Sequence, residues 1–201
     1  APTSAAHDLI ASGIIDAREV VPDLVVDIRY ATANNFVGKA VYPVARCLLR
    51  RNVAQALAQV ARDLRPLGLR LKVWDCYRPF SVQETLWAEV SDPRYVAKPV
   101  RKHGRPEQGS KHNRGAAVDL TLIDDNGREL DMPTGYDDFS PKAHRGAKSW
   151  TAEQARNSRR LEDAMRARGF AALPTEWWHF DGPGWQRYDL SDEPLAPAAR
   201  P

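Results

Sequence analysis

The chain has 201 residues, 43% hydrophobic and 27% charged, and its 29 basic and 26 acidic side chains give a formal net charge of +3. This length suits one well-packed domain and is short for two, so we expect a single domain over residues 1–201. The nearly balanced charge argues against a nucleic-acid-binding protein. No apolar run approaches the roughly 20 residues that cross a bilayer, so we expect no membrane span.

The N-terminal residues 1–19 read as a lead-in to the first regular element. They begin with small residues, which is typical of a chain whose signal peptide has been removed, although a shortened chain would look the same. Cys47 and Cys76 are the only cysteines, and an even count fits one disulfide in an exported protein. Two buried thiols are the alternative. We expect a periplasmic or secreted protein, with a cytoplasmic location as the alternative.

The first half of the chain predicts two strands and two helices. A β-branched run predicts a strand over 23–30, and apolar residues at steps of three and four predict a helix over 46–65. Alternating apolar residues over 69–73 predict a second strand that presents residues 75–79 at its end. Ser81 begins a capping-box pattern, which predicts a helix towards residue 90.

A long segment, 91–110, is rich in proline, glycine and basic residues, and we interpret it as a rim or lid over a pocket. The run 116–123 alternates as a strand does. Its alternation places Asp119 off the main apolar face, towards a site. Residues 125–127 form a hairpin-type turn before a short return strand.

The last third of the chain predicts one long helix and one strand. A capping box at Thr151–Gln154 begins the helix, and Gly169 ends it. The final strand is expected over 171–180. The proline-rich tail, 189–201, is expected to lie over the surface.

Two histidines and a carboxylate have the pattern of a metal site. His112 ends a polar, glycine-broken loop, Asp119 follows seven residues later, and His179 lies in the last predicted strand. Two imidazoles and one carboxylate with an open fourth position form the donor set of a catalytic zinc ion, so we expect one Zn²⁺ per chain. The other histidines are expected to be ordinary surface or hydrogen-bonded residues: His7, His103 and His144.

Two further residues are candidates for catalysis. Glu176 stands beside two tryptophans, which would raise its pKa and suit it to take a proton from zinc-bound water. In an ideal strand Glu176 and His179 would face opposite sides, so the chain must bulge or turn between them. Arg78 stands at a strand end, where a guanidinium can stabilise an oxyanion. The alternative for Glu176 is a surface glutamate beside two core tryptophans. The alternative for Arg78 is a structural salt-bridge partner.

Four motifs carry a family resemblance. They are Ser-x-His-x-x-Gly-x-Ala-x-Asp (Ser110 to Asp119), Glu-Trp-Trp-His (Glu176 to His179), Asp-x-Tyr-Arg-Pro (Asp75 to Pro79) and Tyr-Ala-Thr-x-x-Asn-Phe-x-Gly-Lys (Tyr30 to Lys39). Together they resemble the zinc D-alanyl-D-alanine dipeptidases, the family of the vancomycin-resistance dipeptidase, within the D,D-peptidase and Hedgehog-like group. The likeness runs from about residue 20 to residue 185.

The resemblance implies an α+β fold with a central, mostly antiparallel sheet and packed helices. It implies zinc on His112, Asp119 and His179, with Glu176 as the base and Arg78 as the stabiliser of the tetrahedral intermediate. It also implies a pocket for a small D,D-dipeptide, with three residues lining it: Asp137, which holds the substrate ammonium, Ser110 and Tyr30.

Two other functions stay open on the sequence alone. One is a D,D- or L,D-carboxypeptidase acting on peptidoglycan stem peptides with the same metal chemistry. The other is a non-catalytic module that keeps zinc and binds wall fragments. Lys111 stands where the resistance enzyme has a small polar residue and could change the pocket charge.

Overall fold

The structure is a computed structural model, and it describes residues 13–196. His7 and the ends of the predicted lead-in and tail lie outside the described residues. In chain order the elements are β1 (Ile14–Asp16), β2 (Val25–Val26), β3 (Leu48–Arg50), α1 (Arg51–Leu64), β4 (Leu69–Asp75), α2 (Phe80–Glu89), β5 (Val100–Lys102), β6 (Arg105–Gln108), β7 (Ala117–Asp124), α3 (Ala152–Arg166), β8 (Ala171–Ala172) and β9 (His179–Asp181).

A five-stranded sheet in the order β2-β4-β7-β9-β8 forms the centre of the molecule. Strand β2 pairs with β4 in parallel, and the other neighbours are antiparallel. Two smaller antiparallel pairs, β1 with β3 and β5 with β6, lie outside this sheet. The predicted α+β class with a mostly antiparallel sheet is confirmed.

The central strand β7 is buried along almost its whole length. Val118, Leu120 and Leu122 lie on one side of it, and Asp119 and Thr121 lie on the other, because successive side chains of a strand alternate. Helices α1 and α3 pack against each other and contact β4 and β7 respectively. The apolar stripe of α1 is fully buried, and each of its large side chains stabilises the fold by about 1.5–3 kcal/mol.

The predicted helix over 46–65 begins too early. Helix α1 starts at Arg51, because Leu48 and Leu49 are both buried in β3, where they pair with β1. The expected cap at Ser81 is also wrong. Helix α2 starts at Phe80, and the backbone N–H of Ser81 donates to the Asp192 carboxylate at 2.7 Å.

The predicted strand 23–30 shortens to β2, and Tyr30 lies in the 3-10 turn Arg29–Ala31. The predicted final strand 171–180 is a hairpin. Strands β8 and β9 pair antiparallel, with residues 173–178 turning between them. The return strand after 125–127 reduces to a single bridge between Ile123 and Glu129.

The capping box of the last helix is confirmed, since the Thr151 hydroxyl accepts the backbone N–H of Gln154 and the Gln154 side chain accepts in return. The helix itself ends at Arg166, and Gly169 turns the chain with a φ of +85°. A disulfide joins Cys47 to Cys76, with 5.1 Å between their Cα atoms. The tail up to Ala196 lies against the domain. Within residues 13–196, no helix has the length and apolar character to span a membrane.

Candidate metal centre and active site

Three polar side chains from different parts of the chain meet at one point. His112 Nε2 lies 3.2 Å from Asp119 Oδ1 and 3.2 Å from His179 Nδ1, and His179 Nδ1 lies 2.9 Å from Asp119 Oδ1. All three residues are buried. The predicted set of ligands is therefore brought together around a common centre.

The sheet places two of these residues side by side. Asp119 and His179 are direct partners in the antiparallel register of β7 and β9, so their side chains leave the sheet on the same face. His112 comes from the short 3-10 turn Lys111–Arg114 just before β7. The Ser110 hydroxyl caps this turn by accepting the backbone N–H of His112, and Gly115 ends it with a φ of +65°, a conformation suited to glycine.

The outer hydrogen bonds decide which atoms face the centre. His112 Nδ1 donates to the Cys76 carbonyl at 2.7 Å, which leaves Nε2 as the nitrogen that faces the centre. The Tyr136 hydroxyl donates to Asp119 Oδ2 at 2.8 Å, which leaves Oδ1 for the centre. His179 Nε2 lies 2.9 Å from the Asp181 carboxylate, so Nδ1 is the inward atom of that ring.

Nitrogen and oxygen atoms that converge in this way are stabilised by positive charge between them. The pKa values of Asp119 and His179 show the same preference. Burial alone would raise the pKa of Asp119, but the two imidazoles lower it well below its usual value. Burial would lower the pKa of His179, but its hydrogen bonds to Asp119 and Asp181 raise it to about 10. Positive charge, carried by a proton or by a metal ion, is therefore favoured between these side chains.

The geometry of the donors fits zinc. Bonds of 2.0–2.1 Å in a tetrahedral site imply donor atoms about 3.3 Å apart. The three separations here, 2.9–3.2 Å, are close to that value. Two imidazole nitrogens and one carboxylate oxygen are also ligands that zinc accepts in catalytic sites.

The turn between β8 and β9 brings Glu176 to the centre, as the sequence required. Glu176 Oε2 lies 3.9 Å from His179 Nδ1, although an extended strand would have separated the two side chains. The carboxyl is buried next to Trp177 and Trp178. Burial raises the pKa of Glu176 to about 7, with the Asp119 charge adding to this and His179 opposing it. A carboxyl with this pKa can both accept and return a proton near neutral pH.

Arg78 is buried at the same cavity, in a fixed orientation. Its Nε and Nη2 donate to Asp75 Oδ2 at 3.1 and 2.6 Å, and its Nη1 donates to Gln83 at 2.7 Å. The guanidinium lies 5.2 Å from the centre of the Tyr30 ring. Burial would lower the pKa of Arg78, but the Asp75 carboxylate raises it well above its usual value, so the group stays charged.

The predicted substrate-binding residues line the same cavity. Asp137 accepts a hydrogen bond from the Tyr30 hydroxyl at 3.0 Å, and its backbone has a φ of +58°, an uncommon conformation for a non-glycine residue. Burial raises the pKa of Asp137 well above its usual value, and the charge of Asp119 adds to the effect. Ser110 also borders the cavity, although its hydroxyl caps the His112 turn.

The cavity has a volume of about 200 Å³, and the three metal-site residues are among those that line it. Part of the long segment 91–110 forms a wall, through residues 93–97 and 109–110. The hairpin of β5 and β6, in the middle of that segment, does not line the cavity. The predicted rim is therefore confirmed for the two ends of the segment. Lys111 also borders the cavity, but its ammonium lies 3.7 Å from the Asp181 carboxylate.

Several contacts at the site were not predicted from the sequence. Asp181 follows His179 by two residues, and strand alternation alone places both on one face, so this partner could have been found. Tyr136 comes from an irregular loop, and the Cys76 contact uses a backbone carbonyl; neither has a local signal. Asn113 joins the site as well: its amide donates to the Arg78 carbonyl, and its side-chain oxygen accepts the Ser110 N–H.

Comparison with known proteins identifies the family of this chain. The model of the D-Ala-D-Ala dipeptidase family matches residues 10–194, a span that includes every residue of the site. The chain belongs to this family. It is therefore an enzyme, a peptidase.

Named relatives extend the match over most of the chain. A D-alanyl-D-alanine dipeptidase of Escherichia coli is 38% identical over 177 residues, which are 88% of each chain. One of Enterococcus faecalis is 32% identical over 197 residues, 91% of this chain and 94% of the relative. Among solved structures, a vancomycin-resistance D,D-pentapeptidase in complex with Zn(II) aligns with a TM-score of 0.42 and 17% identity, covering 70% of this chain and 75% of that one.

Proposed function

We propose that this dipeptidase-family enzyme hydrolyses D-alanyl-D-alanine, using one zinc ion held by His112, Asp119 and His179. The observation that carries the proposal is the convergence of three donor atoms next to a buried carboxyl, inside a small cavity. The relatives named as D-alanyl-D-alanine dipeptidases support the choice of substrate.

Zinc, when bound, supplies a Lewis acid that polarises a peptide carbonyl and makes water more acidic. Glu176 takes a proton from the attacking water and gives it to the leaving amine, a role that suits a buried carboxyl beside the metal site. Arg78, fixed by Asp75 and Gln83, stabilises the negative charge that develops on the carbonyl oxygen. Because the guanidinium is already in place, little reorganisation is needed.

The cavity suits a short substrate with a free amino group. Asp137 provides a carboxylate for the substrate ammonium, and the Tyr30 hydroxyl holds that carboxylate in position. The volume of about 200 Å³ lies below the roughly 300–1,000 Å³ typical of pockets for drug-sized ligands. A buried carboxylate left without its ammonium partner costs free energy, so substrates that lack a nearby amino group are disfavoured.

The substrate is tested by incubating the zinc-loaded enzyme with D-alanyl-D-alanine and, separately, with a stem pentapeptide, and measuring released D-alanine. Release from the dipeptide alone supports the proposal. Release from the pentapeptide alone would establish a carboxypeptidase in its place. A zinc-loaded protein that releases D-alanine from neither would be a binding module.

The role of Glu176 is tested with Glu176→Gln, which keeps the size of the side chain. We expect zinc content to be unchanged and kcat to fall by about 10²–10⁴-fold, the usual contribution of a general base. Glu129→Gln is the matched control, since Glu129 pairs with Lys72 at the surface. His179→Ala is expected to lose zinc and activity together. Undiminished turnover in Glu176→Gln would overturn the assignment of the base.

We also propose that the protein works in the periplasm or is secreted. The disulfide between Cys47 and Cys76 supports this location, because such bonds persist in oxidising compartments. Immunodetection of the protein in fractionated cells tests it, and a purely cytoplasmic signal would contradict it.

A further inference from the structure

Asp181 lies immediately behind one of the proposed zinc ligands. It follows His179 by two residues in β9, so both side chains leave the strand on the same face. Asp181 Oδ1 is 2.9 Å from His179 Nε2, and the Asp181 side chain is only 15% exposed. The carboxylate is therefore in hydrogen-bond contact with the ring nitrogen that points away from the centre.

The second oxygen of Asp181 faces a cation. Lys111 Nζ lies 3.7 Å from Asp181 Oδ2 and 5.0 Å from the centre of the Trp185 ring. Lys111 immediately precedes His112, so the same short turn supplies one ligand and the counterion for the group behind another. The tryptophan ring limits the positions that the long lysine side chain can occupy.

We propose that Asp181 is a positioning residue for His179 and that Lys111 holds the Asp181 carboxylate in place. The inference rests on the proposed zinc site. Without a partner on Nε2, no hydrogen bond on the outer side of the His179 ring would determine which of its nitrogens faces the centre. With Asp181 as acceptor, Nε2 carries a hydrogen, and Nδ1 is the nitrogen that faces Asp119 and His112 and remains for the metal.

The charge of Asp181 also matters for ligand strength. A carboxylate hydrogen-bonded to the outer nitrogen of a ligating imidazole makes the inner nitrogen a better donor, and loss of such a partner typically lowers metal affinity 10–100-fold. Lys111 acts one step further away, through a longer and partly exposed contact. Its removal should therefore have a smaller effect than removal of Asp181.

The test is the zinc affinity of purified protein, measured by competition with a chromophoric chelator. Asp181→Ala is expected to lower affinity 10–100-fold, Asp181→Asn less, because an amide oxygen can still accept from Nε2, and Lys111→Met by a few fold. The matched control is Asp63→Ala, which removes an ion pair with Arg168 at the surface. It should bind zinc like the wild type.

A second readout separates positioning from a general structural effect. At saturating zinc, Asp181→Asn should keep the wild-type KM, since Asp181 does not line the cavity, and should recover most of its kcat. In the zinc-loaded protein, ¹⁵N NMR of the His179 ring should show the metal on Nδ1 and the hydrogen on Nε2 in the wild type, and a mixture of the two arrangements in Asp181→Ala.

The possible failures are distinguishable. If the wild type binds zinc tightly and folded Asp181→Asn and Asp181→Ala bind it equally well, the inference about Asp181 is wrong and the zinc site stands. If Asp181→Ala does not fold, the affinity of Asp181→Asn decides the question. If the wild type itself does not bind zinc, the proposed function fails.

Discussion

The disulfide allows a quantitative prediction of the free energy of unfolding. Cys47 and Cys76 are both fully buried and close a loop of 29 residues. The bond joins the residue before β3 to the residue after β4, where the Cys76 carbonyl accepts the hydrogen bond from His112. The substitution of both cysteines by alanine therefore removes a cross-link directly behind the metal centre.

The chain-entropy model gives the magnitude. A loop of 29 residues corresponds to about 3.6 kcal/mol of the free energy of unfolding at 25 °C. For a chain of 201 residues, each kcal/mol shifts Tm by roughly 2–4 °C, so Tm should fall by about 7–14 °C. Loss of the buried sulfur atoms adds to this in the alanine variant but not in the reduced wild type.

Thermal melting followed by circular dichroism tests the prediction on three samples. They are the oxidised wild type, the wild type refolded in reductant, and the Cys47→Ala/Cys76→Ala variant. The reduced wild type is the control for lost packing, because it keeps both sulfur atoms. If it melts within 2 °C of the oxidised protein, the cross-link does not stabilise the fold as argued.

Three further substitutions test the site. Arg78→Lys should lower kcat by about 10²–10³-fold, measured with the dipeptide, because one ammonium cannot replace a guanidinium held at three points. Tyr136→Phe removes the hydrogen bond to Asp119 Oδ2 and should lower zinc affinity by about 10-fold in the chelator assay. Asn113→Ala leaves the buried Ser110 N–H and Arg78 carbonyl without this partner and should cost about 1–3 kcal/mol in urea unfolding. An unchanged kcat in Arg78→Lys, an unchanged zinc affinity in Tyr136→Phe or an unchanged free energy of unfolding in Asn113→Ala would contradict the corresponding argument.

The metal centre could be predicted because its ligands follow local rules. Asp119 lies in a strand whose alternation separates it from the apolar residues, and His112 follows the glycine-broken loop just before it. Their convergence with His179 depends on the register of β7 and β9, which no local pattern encodes. The family motifs supplied that long-range information.

The wrong predictions share one cause, which is that tertiary contacts overrode local pattern. Leu48 and Leu49 fit the helical period, but pairing with β1 buries them as a strand. Ser81 fits a capping box, yet its N–H is satisfied by Asp192, more than a hundred residues away. The single strand predicted over 171–180 is likewise wrong, because the chain turns after β8 and β9 pairs back with it. This turn brings Glu176 to the centre.

The position of each group in the fold separates metal binding from substrate selection. Asp119 and His179 lie on neighbouring strands inside the sheet, where main-chain hydrogen bonds on both sides fix the backbone. Asp137, Tyr30 and the wall of residues 93–97 lie in loops and short turns outside those strands. Loops tolerate change far better than central strands do. Substitutions in these walls can therefore alter which peptide enters the cavity while the donor atoms keep their spacing. A family with this sheet can thus vary its substrates without changing the positions of its metal ligands.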